Sequence, residues 1–166
     1  MKLKIGLLRE ERIPTDRRVA LLPEQCVEVM QQYNVAIVVQ PSDVRCFTNK
    51  EYVKAGVALQ EDLTDCDVLI GIKEVPTHLL IAHKTYLFFS HTIKKQAHNK
   101  KLLQAILQNN IRLIDYEALV DPQGNRIIAF GKYAGIVGAY NGLMMYGKRY
   151  QLFQLKRAFE IGRAHV

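Results

Sequence analysis

The stretch Val35-Ala36-Ile37-Val38-Val39 is apolar at every position and rich in β-branched residues. A strand with one wet face alternates apolar and polar residues, so a run without polar positions must be covered on both sides, as in a parallel sheet. Val68-Leu69-Ile70-Gly71-Ile72 and Tyr86-Leu87-Phe88-Phe89 repeat the pattern. Lys4-Ile5-Gly6-Leu7-Leu8 opens the chain with a shorter run, and residues 111–114 return as another. Helix signatures lie between them. Pro23 and Glu24 open one, since proline suits a first turn, and Cys26, Val29, Met30 and Tyr33 follow at i, i+3, i+4 and i+7. Leu102, Leu103, Ile106 and Leu107 mark a second between Lys94 and Asn110. Arg9 to Arg18 is charged, contains Pro14 and reads as a loop, while Asp121-Pro122-Gln123-Gly124 is turn chemistry that predicts a hairpin. Buried strands alternating with helices predict an α/β fold, with a largely parallel sheet and helices on both faces.

Gly131, Gly135, Gly138 and Gly142 are spaced 4, 3, 4, so on a helix they share one face. Each interior glycine costs roughly 1 kcal/mol against alanine, which predicts that another backbone closely approaches that face. The rival reading is a phosphate loop. A dinucleotide fingerprint, however, needs G-x-G-x-x-G directly after a strand, and this spacing does not supply it.

The 166 residues suffice for a core that needs no disulfide or metal staple. A content of 49% hydrophobic and 23% charged residues argues against disorder. No apolar run reaches the roughly 18 residues of a spanning helix, and the amino terminus meets charge too soon for a signal peptide, so membrane insertion and secretion are not expected. Cys26, Cys46 and Cys66 form no C-x-x-C pair and read as reduced thiols in a cytoplasm. The five histidines show no chelating spacing with a cysteine, so no metal is predicted. The net charge of +7 is scattered apart from Lys94-Lys95 with Lys100-Lys101 and Lys148-Arg149, without the interleaved aromatics of a nucleic-acid patch. Solvated helix faces explain it, and anionic small substrates remain compatible.

Three basic positions lie where open α/β sheets place their ligand crevice, at strand ends. Lys73 follows the run ending at Ile72, His91 follows Phe88-Phe89-Ser90, and Arg17-Arg18 close the loop after the first strand. Arginine and lysine together suit a carboxylate, the arginine through its bidentate fork. A histidine there can pass a proton near neutral pH. Each residue alone is equally readable as a solvated loop side chain, and Glu74 as a base or a helix-start charge. His78, His83 and His98 sit in polar stretches and read as surface residues.

Five motifs in order, RRVALLPEQ at 17–25, IGIKEVP at 70–76, FFSHTIKKQ at 88–96, LIDYEAL at 113–119 and IAFGKYAGIVGAYNG at 128–142, cover most of the chain to about residue 150. By these motifs the sequence resembles the N-terminal domain of the alanine dehydrogenase and pyridine-nucleotide transhydrogenase family. Within it, the sequence is most similar to the lysine-forming saccharopine dehydrogenase branch. The resemblance implies a Rossmann-like or flavodoxin-like sheet ending in a long glycine-faced linker helix. It implies that Arg18 and Lys73 hold the substrate's carboxylate, that His91 serves acid–base chemistry, and that Lys73 also takes part in proton transfer. The implied reaction moves hydride between NAD and the carbon bearing an amino acid's nitrogen, through an imine.

In the family a nucleotide-binding domain with a glycine fingerprint follows, and none is present here. The expected organisation is therefore a substrate-side domain over 1–130, a linker helix over 131–160 leading toward an NAD-binding domain outside this sequence, and a tail, 161–166, that reads like translated sequencing-adapter DNA. NAD would be held mainly by that other domain, with no cofactor-binding residue in this fragment. The expected partner is a small amino-acid or keto-acid substrate, with no nucleic acid and no membrane. The fragment alone is expected to be inactive. Rival readings are an alanine dehydrogenase-type enzyme and a non-catalytic domain that binds amino acids or carboxylates.

Overall fold

A computed structural model describes residues 2–129 and 131–155. The elements run β1 (Lys4–Leu7), α1 (Pro23–Tyr33), β2 (Ala36–Val39), α2 (Asn49–Lys54), β3 (Ala58–Leu59), β4 (Val68–Ile70), β5 (Thr85–Phe88), α3 (Lys100–Gln108), β6 (Arg112–Asp115) and α4 (Gly131–Tyr150). Among the described residues six strands form one sheet in the order β3-β2-β1-β4-β5-β6, and every pair is parallel. Gly6 stands opposite both Val38 and Leu69, and Leu69 opposite Tyr86.

The period-2 alternation of the apolar runs divides the core between the two faces. Ile5, Leu7, Ile37 and Val39 pack with Cys26 of α1 and with Tyr52 of α2. Val38, Leu69, Tyr86 and Phe88 point the other way, to Leu102 and Ile106 of α3. Helices on both faces and the parallel sheet agree with the sequence. The helix starts have local causes. Gln25 Oε1 accepts from the Leu22 amide ahead of Pro23, and Asn34 closes α1 in the left-handed region at φ 50°. Thr48 and Glu51 form a reciprocal capping box that starts α2.

The hairpin at Asp121–Gly124 is short, a turn closed by one antiparallel bridge, Val120 with Arg126. The glycine face of α4, whose packing partner is expected outside this fragment, has no close neighbour among the described residues: a Cβ at Gly131, Gly135, Gly138 or Gly142 would meet nothing within 4 Å. The helix ends at Tyr150, where Gln151 adopts φ 55°, and Phe153 folds back over Gly147. Residues 156–160 of the anticipated linker, Phe159 included, and the tail 161–166 lie outside the described residues.

Candidate active site at the strand ends

The strand order reverses between β1 and β4, so the connections leaving these neighbours diverge and open a crevice at their carboxyl ends. The loop after β1 runs along this crevice, tied by its own charges. Glu10 accepts hydrogen bonds from the backbone amides of Ile72, at 2.6 Å, and Lys73, at 2.9 Å, which joins it to the end of β4. Arg9 reaches the Pro41 carbonyl and the Glu61 carboxylate on the far side. Arg12 Nη1 donates to Glu74 Oε2 at 2.7 Å. Asp16 accepts from the backbone, Nε and Nη2 of Arg18, a two-pronged pairing that fixes the guanidinium.

Arg18 and Lys73 come together. They line one open cleft of about 550 Å³ with Arg12, Pro14, Thr15, Asp16 and Arg17. His91 stands beside it, its Nδ1 2.5 Å from Glu74 Oε1. Glu74 thus bridges His91 and Arg12, and Arg12 reaches the cleft. The three residues therefore share one end of the sheet, with His91 linked to the other two through Glu74. His91 adopts the left-handed region at φ 55° and stacks on Phe89 with ring centroids 6.4 Å apart. Glu74 is not a helix-start charge, since the next helical turn begins only at Thr77.

Sequence reasoning did not single out Glu10, Arg12 or Asp16. Burial pushes the Glu10 carboxyl above its ordinary value, although the two amide hydrogen bonds oppose the rise. Burial would also raise Asp16, but the hydrogen bonds and charge of Arg18, with the charge of Lys73, outweigh it and hold the carboxyl below its ordinary value. Asp16 in turn keeps Arg18 firmly protonated. Arg12, Arg17, Arg18 and Lys73 line the cleft with Asp16, Arg12 being paired with Glu74 and Arg18 with Asp16. Basic side chains gathered at one crevice attract a substrate carrying carboxylates.

The same crevice does not fit a dinucleotide. After β1 the chain reads Leu8-Arg9-Glu10-Glu11 in place of a glycine fingerprint, and no helix begins before Pro23. Glu10 already occupies the Ile72 and Lys73 amides, and its charge would repel a pyrophosphate. Among the described residues no group of three or more His, Cys, Asp or Glu side chains is arranged to hold a metal ion.

The family described as "Alanine dehydrogenase/PNT, N-terminal domain" matches residues 6–137. The chain is 43% identical over 145 residues to the mitochondrial alpha-aminoadipic semialdehyde synthase of Mus musculus, an alignment covering 87% of this chain and 16% of that one. It is 37% identical over 150 residues to the alpha-aminoadipic semialdehyde synthase of Arabidopsis thaliana, covering 87% and 14%. It is 31% identical over 141 residues to the saccharopine dehydrogenase (NAD(+), L-lysine-forming) of Yarrowia lipolytica, covering 82% and 38%. The chain therefore spans less than half the length of each of these relatives.

Proposed function

The chain belongs to the alanine dehydrogenase/PNT N-terminal domain family, and from this premise we propose that it is the substrate-side domain of an amino-acid dehydrogenase of the saccharopine type. The reaction forms or breaks a C–N bond through an imine, with NAD as the hydride carrier held by a part of the enzyme outside this chain. The residues described here bind, orient and move protons. Arg18 and Lys73 receive substrate carboxylates in the cleft. Glu74 engages His91 Nδ1, which leaves Nε2 to exchange a proton with the substrate. Lys73, at the head of the crevice, is the second proton-transfer group.

The observation that carries this reading is the cleft itself, where Arg18 and Lys73 lie together beside Arg12 and Arg17. Several basic side chains along one cleft suit a polycarboxylate such as saccharopine better than alanine, whose single carboxylate needs one partner. Among the described residues no helix is long and apolar enough to cross a membrane, and the substrate is a small molecule met in water. Cys26, Cys46 and Cys66 are buried and form no disulfide, which fits a reducing compartment such as the cytoplasm, while the mouse relative is named as mitochondrial.

Steady-state kinetics on the full enzyme test the assignment. Saccharopine should be turned over and alanine should not. His91→Ala should lower kcat by about 10²–10⁴-fold with little change in KM, the usual share of general acid–base catalysis. Arg18→Ala should act mainly through KM. Efficient alanine turnover would assign the alanine dehydrogenase type, and unchanged kcat in His91→Ala would make the histidine a bystander.

A further inference from the structure

His91 sits in a backbone conformation that residues other than glycine adopt at an energetic cost, and such outliers persist only where their surroundings hold them. What holds this one is a polar cluster under the strand ends. Ser90 is fully buried, and its hydroxyl donates to Asp115 Oδ2 at the carboxyl end of the neighbouring strand β6. Asp115 Oδ1 also receives the Ser90 amide, at 3.4 Å, and the Glu117 amide, at 2.9 Å. On the other side of His91, the Thr92 amide donates back to Ser90 Oγ at 3.1 Å, and the Thr92 hydroxyl lies 2.7 Å from the same oxygen. The His91 carbonyl accepts from Nδ2 of Asn99, itself buried, at 3.2 Å. Upstream, the Phe89 amide is tied to the Ile72 carbonyl, and the Phe89 ring meets Tyr116 edge to face with centroids 5.1 Å apart.

We propose that Ser90 and Asp115 are positioning residues that fix the left-handed backbone of His91 and so aim its imidazole at Glu74. Neither residue touches the imidazole or lines the cleft described above, so each acts through the backbone. The geometry favours this over a purely structural role. A buried serine needing only satisfaction could bond its own strand, whereas Ser90 spends its hydroxyl bridging the residue after His91 to the next strand. The bridge leaves no slack at the histidine, which a side chain 2.5 Å from its carboxylate partner requires. The inference rests on the reading of His91 as a proton-transfer group.

The test uses Ser90→Ala, Asp115→Asn and His91→Ala in the full enzyme, with kcat, KM and the His91 imidazole ¹⁵N resonances as readouts. Asp115→Asn keeps the shape of the side chain and covers the case in which Ser90→Ala fails to fold. In both positioning variants kcat should fall roughly tenfold with KM little changed, less than the ~10²-fold that a 1 Å misplacement costs. The imidazole resonances should move toward those of a histidine without a carboxylate on Nδ1. Unmoved resonances in a folded variant overturn the proposal, even where activity falls. Lost turnover in His91→Ala beside unchanged turnover in the other two overturns the positioning role alone. Unchanged turnover in His91→Ala overturns the proton-transfer reading and the positioning role with it.

Discussion

Glu10 and Asp16 belong to one loop, yet their surroundings drive their carboxyls in opposite directions. Asp16 titrates below its unfolded value of 3.8, so its ionised form favours the folded state. That contribution is present above 3.8 and is lost as the pH falls through the lower folded-state value. Glu10 has the opposite sign: its raised value favours folding while it is protonated, below 4.5, and the advantage is lost as the pH rises through the folded-state value. Asp16→Asn is therefore expected to lower Tm at pH 7 and to show a shallower acid decline than the wild type below about pH 4. Thermal melts across that range check it, and parallel declines would deny Asp16 a stabilising charge. Lys73 and His91 were legible in the sequence because each stands at the end of an apolar run, and Arg18 because it closes the charged loop after the first run. The acidic residues were not. Within Arg9 to Arg18, mixed charges read as a solvated loop, and only the pairing of β1 with β4 brings Glu10 to the Ile72 and Lys73 amides.

β1 is the element on which the crevice depends, since it pairs with both β2 and β4 and launches the loop. Its Gly6 faces the α3 side so closely that a Cβ would stand 2.9 Å from Leu63 Cδ1 and Leu69 Cδ2 and 3.1 Å from Cys66 Sγ. All three side chains are buried to 2% exposure or less, so they have little room to yield. Gly6→Ala should destabilise the domain by about 1–3 kcal/mol, the usual range for overpacking, measured by urea unfolding at constant m. An unchanged midpoint would mean that the leucines repack freely. The strands readable from sequence were those carried by the longer, mainly apolar runs; α2 and β3 were not foreseen. Ala58–Leu59 is a two-residue exposed edge strand, too short to show a period. α2 has six residues, and its one clear sign was the spacing of Thr48 and Glu51.

For the molecule as a whole, the strand order is that of dinucleotide-binding sheets, while the residues at the switch point contradict that use. Strand order follows from which apolar runs can be covered on both faces, whereas nucleotide binding needs bare backbone at one turn, and here Glu10 fills that turn. The purified chain should accordingly show no micromolar binding of NADH by fluorescence titration and no hydride transfer. α4 adds a second consequence. Ile136, Leu143, Tyr146 and Tyr150 recur at spacings that set them on one side of the helix, and each is more than half exposed. Leu152, at 63%, continues the apolar surface beyond the helix end. With the glycine face open as well, this stripe lacks, among the described residues, the cover that an apolar helix surface ordinarily has. The isolated chain is therefore expected to self-associate as its concentration rises, visible as a growing weight-average mass in sedimentation equilibrium. Leu143→Glu, placed mid-stripe where no core cluster depends on it, should return the chain toward a monomer without lowering its Tm. Tight NADH binding would mean that the crevice accepts a pyrophosphate despite Glu10. A mass that stays monomeric at all concentrations would mean that the stripe is covered in solution by the chain itself.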